Sequence, residues 1–245
     1  MNRGLKVFII GLCVLFLSPL ILAGTFSLQG GQGVSTVGSG GDYASLADAA
    51  SDFNGFAGGC TGDWTLLVIS DLTVPANVAF GNSTNGHRVT IRPAPGAEPV
   101  IRLTAPTVGT IPGHLVIGAV SLTTYDDLKK TDNFTINGCS DDGWSTRSLT
   151  FINSNSAIPN SRVLMVVGNS DDFTMKNCKV TNQATNTGIL TGTAVELHIR
   201  STGEDYFIPD NATFENCELT AATARYGTGI RQTRSGDALT VGNAM

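Results

Sequence analysis

The most regular feature of the chain is a short alternation of apolar and polar positions that recurs with the same punctuation. Leu149-Thr150-Phe151-Ile152-Asn153-Ser154, Phe173-Thr174-Met175-Lys176-Asn177-Cys178, Ala212-Thr213-Phe214-Glu215-Asn216-Cys217 and Leu239-Thr240-Val241-Gly242-Asn243-Ala244 all read apolar, Thr, apolar, variable, Asn, small. A period of two predicts half-buried strands, with the apolar pair facing a core and the Thr facing out. Asn at a fixed place predicts a bend, because it tolerates the left-handed conformation. The small residue after it suits a tight inward corner. The threonines lie 24, 39 and 27 residues apart. Such an irregular repeat fits a coil with loop insertions better than the hairpins of a β-sandwich. Stacking the copies then brings Asn153, Asn177, Asn216 and Asn243 into one ladder of side-chain amides. A fifth near-copy, Phe134-Thr135-Ile136-Asn137-Gly138-Cys139, begins only 15 residues before the first. It is read as another strand of the same turn, which makes the 39-residue spacing of Cys139, Cys178 and Cys217 accidental.

Further apolar runs predict strands at residues 64–69, 72–74, 89–93, 99–103, 115–117, 120–122, 163–167, 194–199 and 229–231. Each of the last three precedes a copy of the Thr/Asn string, as one sheet would precede another in every turn. Pro93, Pro95, Pro99 and Pro106 fall where corners or edges tolerate a missing donor. One short helix interrupts the strands. Asp42 is its predicted N-cap, Tyr43, Leu46, Ala50 and Phe53 share its apolar face, and Gly55 ends it.

Residues 1–23 follow the grammar of a secretory signal peptide: Arg3 and Lys6, an uncharged apolar run over 8–17, Pro19, and a small-residue site at Ala23. An uncleaved membrane anchor is the alternative. A Gly/Ser-rich lead-in over 24–41 and a coil over 42–245 complete the expected organisation. The coil is expected to be truncated, because the sequence stops inside the fourth copy with no covering element. Only 14% of residues are charged and the formal net charge is −5. That balance argues against nucleic acid and anionic membranes as partners. Partners are expected among components outside the cell or on its surface, with no membrane contact beyond the signal segment.

The strings LTFINS, FTMKNC, ATFENC and LTVGNA resemble the turns of the right-handed parallel β-helix of the pectin lyase-like superfamily, over roughly residues 36–245. The segment from Val37 to Ala50 resembles the entry of pectin methylesterases, where a helix covers the open first turn. The resemblance implies an all-β solenoid with a short N-terminal capping helix. It also implies a substrate cleft along an outer face, either on a carbohydrate-binding or adhesive scaffold or on a polysaccharide lyase or glycoside hydrolase. The Gly-His-Gly and Arg-x-Lys strings of polygalacturonases and the Leu-Gly-Arg string of methylesterases are missing from this sequence, so the likeness carries a fold and assigns no reaction.

Candidate chemistry is sparse. Of His87, His114 and His198, the last stands in Val195-Glu196-Leu197-His198-Ile199-Arg200, which places Glu196, His198 and Arg200 on one outer row with Arg231 in the following turn. Carboxylate, imidazole and guanidinium in one row suit acid/base work on a glycan, or else form a solvated face with a Glu196–Arg231 ion pair. The pairs Asp141-Asp142 and Asp171-Asp172 are candidate calcium ligands, or polar turns. No other cofactor is indicated. Cys60, Cys139, Cys178 and Cys217 are expected as buried free thiols, since stacked parallel neighbours are poorly placed for bridging, and no spacing suits zinc.

Overall fold

The computed structural model describes residues 31–104, 113–119, 130–141, 146–154, 162–168, 170–183, 192–202, 205–207, 209–221 and 228–234. The expected signal segment at 1–23, the strand expected at 120–122 and the copy beginning at Leu239 lie outside the described residues. Strand β1 (Gly33–Val37) and helix α1 (Leu46–Gly55) come first. Five winds of three strands follow. They are β2 (Trp64–Val68), β3 (Leu72–Val74) and β4 (Val78–Phe80), then β5 (Val89–Pro93), β6 (Val100–Leu103) and β7 (Gly113–Ile117). The third wind is β8 (Phe134–Asn137), β9 (Leu149–Asn153) and β10 (Arg162–Val167). The fourth is β11 (Thr174–Lys176), β12 (Cys178–Asn182) and β13 (Thr193–Thr202), followed by the short β14 (Asp205–Phe207). The fifth is β15 (Thr213–Glu215), β16 (Glu218–Ala221) and β17 (Thr228–Arg234).

Each wind contributes one strand to each of three sheets. The first sheet runs β1-β2-β5-β8-β11-β15, and the second runs β3-β6-β9-β12-β16. The third runs β4-β7-β10-β13, with β17 paired on β13. Every described pairing between winds is parallel, and only the β13–β14 hairpin is antiparallel. A sandwich of hairpins is thereby replaced by stacked parallel sheets, the arrangement of a β-helix-like solenoid. The first sheet begins inside the stretch expected as a lead-in, because β1 pairs with β2 from Gly33 onward.

Inward residues from the three sheets meet in one core that includes Trp64, Leu66, Phe80, Ile91, Ile101, Phe134, Phe151, Phe173 and Met175, each at most 2% exposed. The helix adds Leu46, Ala49, Ala50 and Phe53 to it. Phe53 stacks on Trp64 with ring centroids 6.1 Å apart, and Phe80 sits 5.6 Å from it on the other side. Asn54 donates to the Ala79 carbonyl at 2.7 Å and accepts from the Gly81 amide at 2.8 Å, both at β4, an edge strand of its sheet. Asn82 returns the favour, donating a second hydrogen bond to the Phe53 and Phe56 carbonyls at the helix end, which also accept from the Phe56 and Gly59 amides. The N-cap is Ser45, whose hydroxyl accepts from the Asp48 amide, and not Asp42. Asp42 is held three residues earlier by Thr36, whose amide and hydroxyl both donate to its carboxylate.

The four strings do not share one sheet. Thr135, Thr174 and Thr213 stand opposite one another in β8, β11 and β15. The string from Leu149 forms β9 in the second sheet, beside Cys178–Asn182 of β12. The near-copy at 134–139 therefore stacks with those at 173–178 and 212–217, and the 39-residue spacing is the length of a wind.

The single amide ladder is accordingly two ladders. Asn216 Nδ2 donates to Asn177 Oδ1 at 2.8 Å, and Asn177 Nδ2 donates to Asn137 Oδ1 at 3.2 Å. Asn153 instead donates to Asn182 at 2.9 Å, with both buried, and Asn182 passes the chain on to the Thr193 carbonyl. Asn177 and Asn216 adopt φ of +56° and +48°, as their corner requires. Asn243 lies outside the described residues. Cys139 and Cys178 are buried, Cys217 is half-buried, and these and Cys60, the four cysteines among the described residues, are free thiols.

Candidate functional site

The outer face of the first sheet carries a groove of about 620 Å³. Its floor is a file of threonines in register, Thr65, Thr90, Thr135 and Thr174, extended by Thr213. Strand alternation explains the file: Leu66, Ile91, Ile136 and Met175 beside them point inward and are fully buried. Each hydroxyl can both donate and accept a hydrogen bond, and the strand spacing sets neighbouring threonines about 4.8 Å apart. One wall carries Arg92, Asn137 and Lys176, the other Asp63, Arg88 and Asp172. The Asp63 carboxylate accepts from the Arg88 amide at 2.9 Å and lies 3.8 Å from His87 Nδ1. A polar trough with a periodic floor and charged walls can hold an extended, hydroxyl-rich chain laid across the strands. The threonine strings were visible in the sequence. Of the flanking charges the sequence pointed only to Asp172, and as a calcium ligand; Arg88, Arg92 and Lys176 reach one surface only once the winds are stacked.

The row expected to carry acid/base chemistry lies on the third sheet. Glu196 stands opposite Arg231 in register, as the repeat implies. It is not on a solvated face: its side chain is 0% exposed. Arg162 Nε donates to Glu196 Oε2 at 2.5 Å, and His198 Nδ1 lies 3.2 Å from Glu196 Oε1. His198 and Arg162 are 13% and 15% exposed. A carboxylate so deeply placed survives only with such partners. The reason is that this sheet is covered on both faces. Val116, Met165 and Val167 form a second small core with Ala119 on its outer side, and they occupy the columns of Glu196 and His198. The unbroken run Val163-Leu164-Met165-Val166-Val167 was the sequence signal for a strand buried on both faces. Arg200 pairs with Phe207 in the hairpin. The side chains of Arg200 and Arg231 lie outside the described residues.

No family model matches this chain, and searches of curated proteins and of solved structures find no match. The groove and the buried cluster are therefore read from their own chemistry.

The candidate calcium ligands divide between the two ends of the first sheet. Asp171 and Asp172 stand just before β11, where Asp171 Oδ1 accepts from the Asp210 amide and Asp172 Oδ1 accepts from Asn211. Asp141 stands beyond the far end of β8 and accepts from the Cys139 thiol at 3.0 Å. Asp142 lies outside the described residues. Among the described residues no three His, Cys, Asp or Glu side chains gather as a metal site. Asp132, one wind before Asp171, accepts from the Asp171 amide at 3.1 Å, and burial holds its carboxyl above the usual range, reinforced by the charge of Asp171. Asp132 and Asp171 serve backbone amides at the corners, Asp172 a side-chain amide and Asp141 a thiol.

His114 is the other histidine with an unusual setting. It is fully buried, neither ring nitrogen has a hydrogen-bond partner, and burial pulls its pKa down to about 4. Among the described residues no helix is long and apolar enough to cross a membrane.

Proposed function

We propose that this chain is an exported right-handed parallel β-helix of the pectin lyase-like type, its helix capping the first wind, that binds glycan in the groove of its first sheet at or beyond the cell surface. The observation that carries the reading is the in-register file of threonine hydroxyls between charged walls. It offers hydrogen-bonding groups at a regular spacing to a ligand that is itself regular and hydroxyl-rich. The signal-like segment at residues 1–23 supports export. The acidic net charge of −5 weighs against nucleic acid as the occupant.

The test is retention on a panel of neutral and acidic polysaccharides by affinity electrophoresis, comparing the wild type with Thr135→Lys, which fills the middle of the groove. Binding lost in the variant at an unchanged melting temperature supports the reading. Retention on none of the panel refutes it. Mass spectrometry of the mature N-terminus tests export, with a start near Gly24 expected.

A second reading, a polysaccharide lyase or glycoside hydrolase, draws support from Arg162, Glu196 and His198. Glu196 orients the His198 ring through Nδ1, the arrangement by which a histidine is prepared as a general base. Glycan turnover that His198→Ala abolishes would establish this reading over the scaffold.

A further inference from the structure

We infer that the groove is matched to a glycan bearing one acidic group on every second sugar. This rests on the glycan-binding reading above and specifies the charge pattern of the ligand. Leu67, Arg92, Asn137, Lys176 and Glu215 form one file along a wall of the groove. Leu67 is opposite Arg92, and Lys176 is opposite both Asn137 and Glu215. Arg92 and Asn137 each follow the paired Ile91 and Ile136. The two cations are thus separated by two strand spacings, about 9.6 Å, with a neutral amide between them. That separation is close to the length of a disaccharide unit in an extended chain.

Charge complementarity then selects among glycans. A chain with a carboxylate on every sugar sets one against Asn137, which supplies no countercharge, while the facing wall, with Asp63, Arg88 and Asp172, meets every acidic chain alike. That unmatched charge counts against it. A neutral chain accepts hydrogen bonds from Arg92 and Lys176 but offers them no countercharge. A chain with alternating acidic and neutral sugars meets Arg92, Asn137 and Lys176 in turn, with charge-assisted hydrogen bonds at the cations and amide and threonine hydrogen bonds at the neutral sugar. With a net charge of −5 on the whole chain, long-range attraction does not explain anion binding. The selection is local, within about a Debye length of 8–10 Å.

The experiment compares three oligosaccharides of equal length on the intact protein by isothermal titration calorimetry. They are a hyaluronate oligomer with alternating uronate and neutral sugars, an oligogalacturonate with a carboxylate on every sugar, and a neutral cello-oligosaccharide. The expected result is that the alternating oligomer binds at least about tenfold more tightly than either of the others. Arg92→Gln and Lys176→Gln should each lower that affinity about tenfold, one charge-assisted contact's worth, and change that of the neutral oligomer far less. Equal or tighter binding of oligogalacturonate, or variants that bind the alternating oligomer as the wild type does, overturns the charge pattern while glycan binding stands. Failure of all three to bind overturns both readings. The ranking of the three ligands on the wild type decides the matter even if a variant does not fold.

Discussion

His114 gives the sharpest prediction about stability. It is fully buried on β7 with both ring nitrogens unpartnered, so the fold tolerates the neutral ring and excludes the imidazolium. Burial sets its pKa at about 4 in the fold, against an ordinary 6.5 in the unfolded chain. Above pH 6.5 the ring is neutral in both states and does not affect the pH dependence. Between pH 6.5 and 4 the unfolded chain takes up a proton that the fold refuses, so stability falls with acidification. Below pH 4 both states are charged and the loss is complete. At about 1.4 kcal/mol per pH unit the total is roughly 3 kcal/mol. His114→Leu removes the effect. At pH 7 the variant should be at least as stable as the wild type, because it discards two buried, unpaired polar atoms. Urea unfolding followed by circular dichroism at pH 7, 6, 5 and 4 measures both proteins, and carboxylates such as Asp132 cancel in the difference. The stability gap between variant and wild type should widen by about 3 kcal/mol from pH 7 to pH 4. A gap that stays constant across that range refutes the argument.

Three further substitutions probe the coil. Asn177→Gly keeps the left-handed backbone but breaks two amide bonds, and should cost about 1–2 kcal/mol; Asn177→Ala adds the conformational penalty of about 1 kcal/mol more. Chemical unfolding of the two variants side by side separates the contributions. A Cβ on Gly138 would sit 1.8 Å from the Asn177 carbonyl oxygen of the next wind, so Gly138→Ala should cost about 3 kcal/mol or more, whereas Gly55→Ala, with open space around it, should be nearly silent in the same thermal melt. Arg162→Met leaves the buried Glu196 carboxylate with His198 but without its guanidinium and should cost about 3 kcal/mol, much of it recovered in the double variant with Glu196→Gln. A single variant as stable as the wild type in urea would contradict the buried pairing.

The alternating strings made the strands and their facing legible, down to the inward Phe and Met and the outward Thr. They did not reveal which sheet each string joins. Apolar-Thr-apolar with a following Asn is what any half-buried strand of a coil presents, so Leu149–Asn153 and Thr174–Lys176 look alike although they lie in different sheets. The distinguishing fact was nonlocal: windings of 39 residues join Thr135, Thr174 and Thr213, and the same interval joins Cys139, Cys178 and Cys217. Strands such as Val78–Phe80 and Cys178–Asn182 were missed because one, Val-Ala-Phe, shows no apolar/polar alternation and the other follows its corner without a loop. Glu196 looked solvent-facing because alternation distinguishes in from out only where one face of a sheet is bare. The apolar run from Val163 to Val167 marked this sheet as covered on both faces. The groove charges come from positions as far apart as Asp63 and Lys176, which no local pattern associates.

The in-register threonine file makes the first sheet a ruler. The graduations are set by main-chain hydrogen bonding, and side-chain packing has little influence on them. Outward residues can therefore be exchanged one at a time without altering the pitch, so a lineage could rewrite the chemistry of this face by editing single letters while the core beneath stays untouched. Any partner must bring a matching pitch of its own, and one whose units are slightly too long or too short would fall out of step after a few of them.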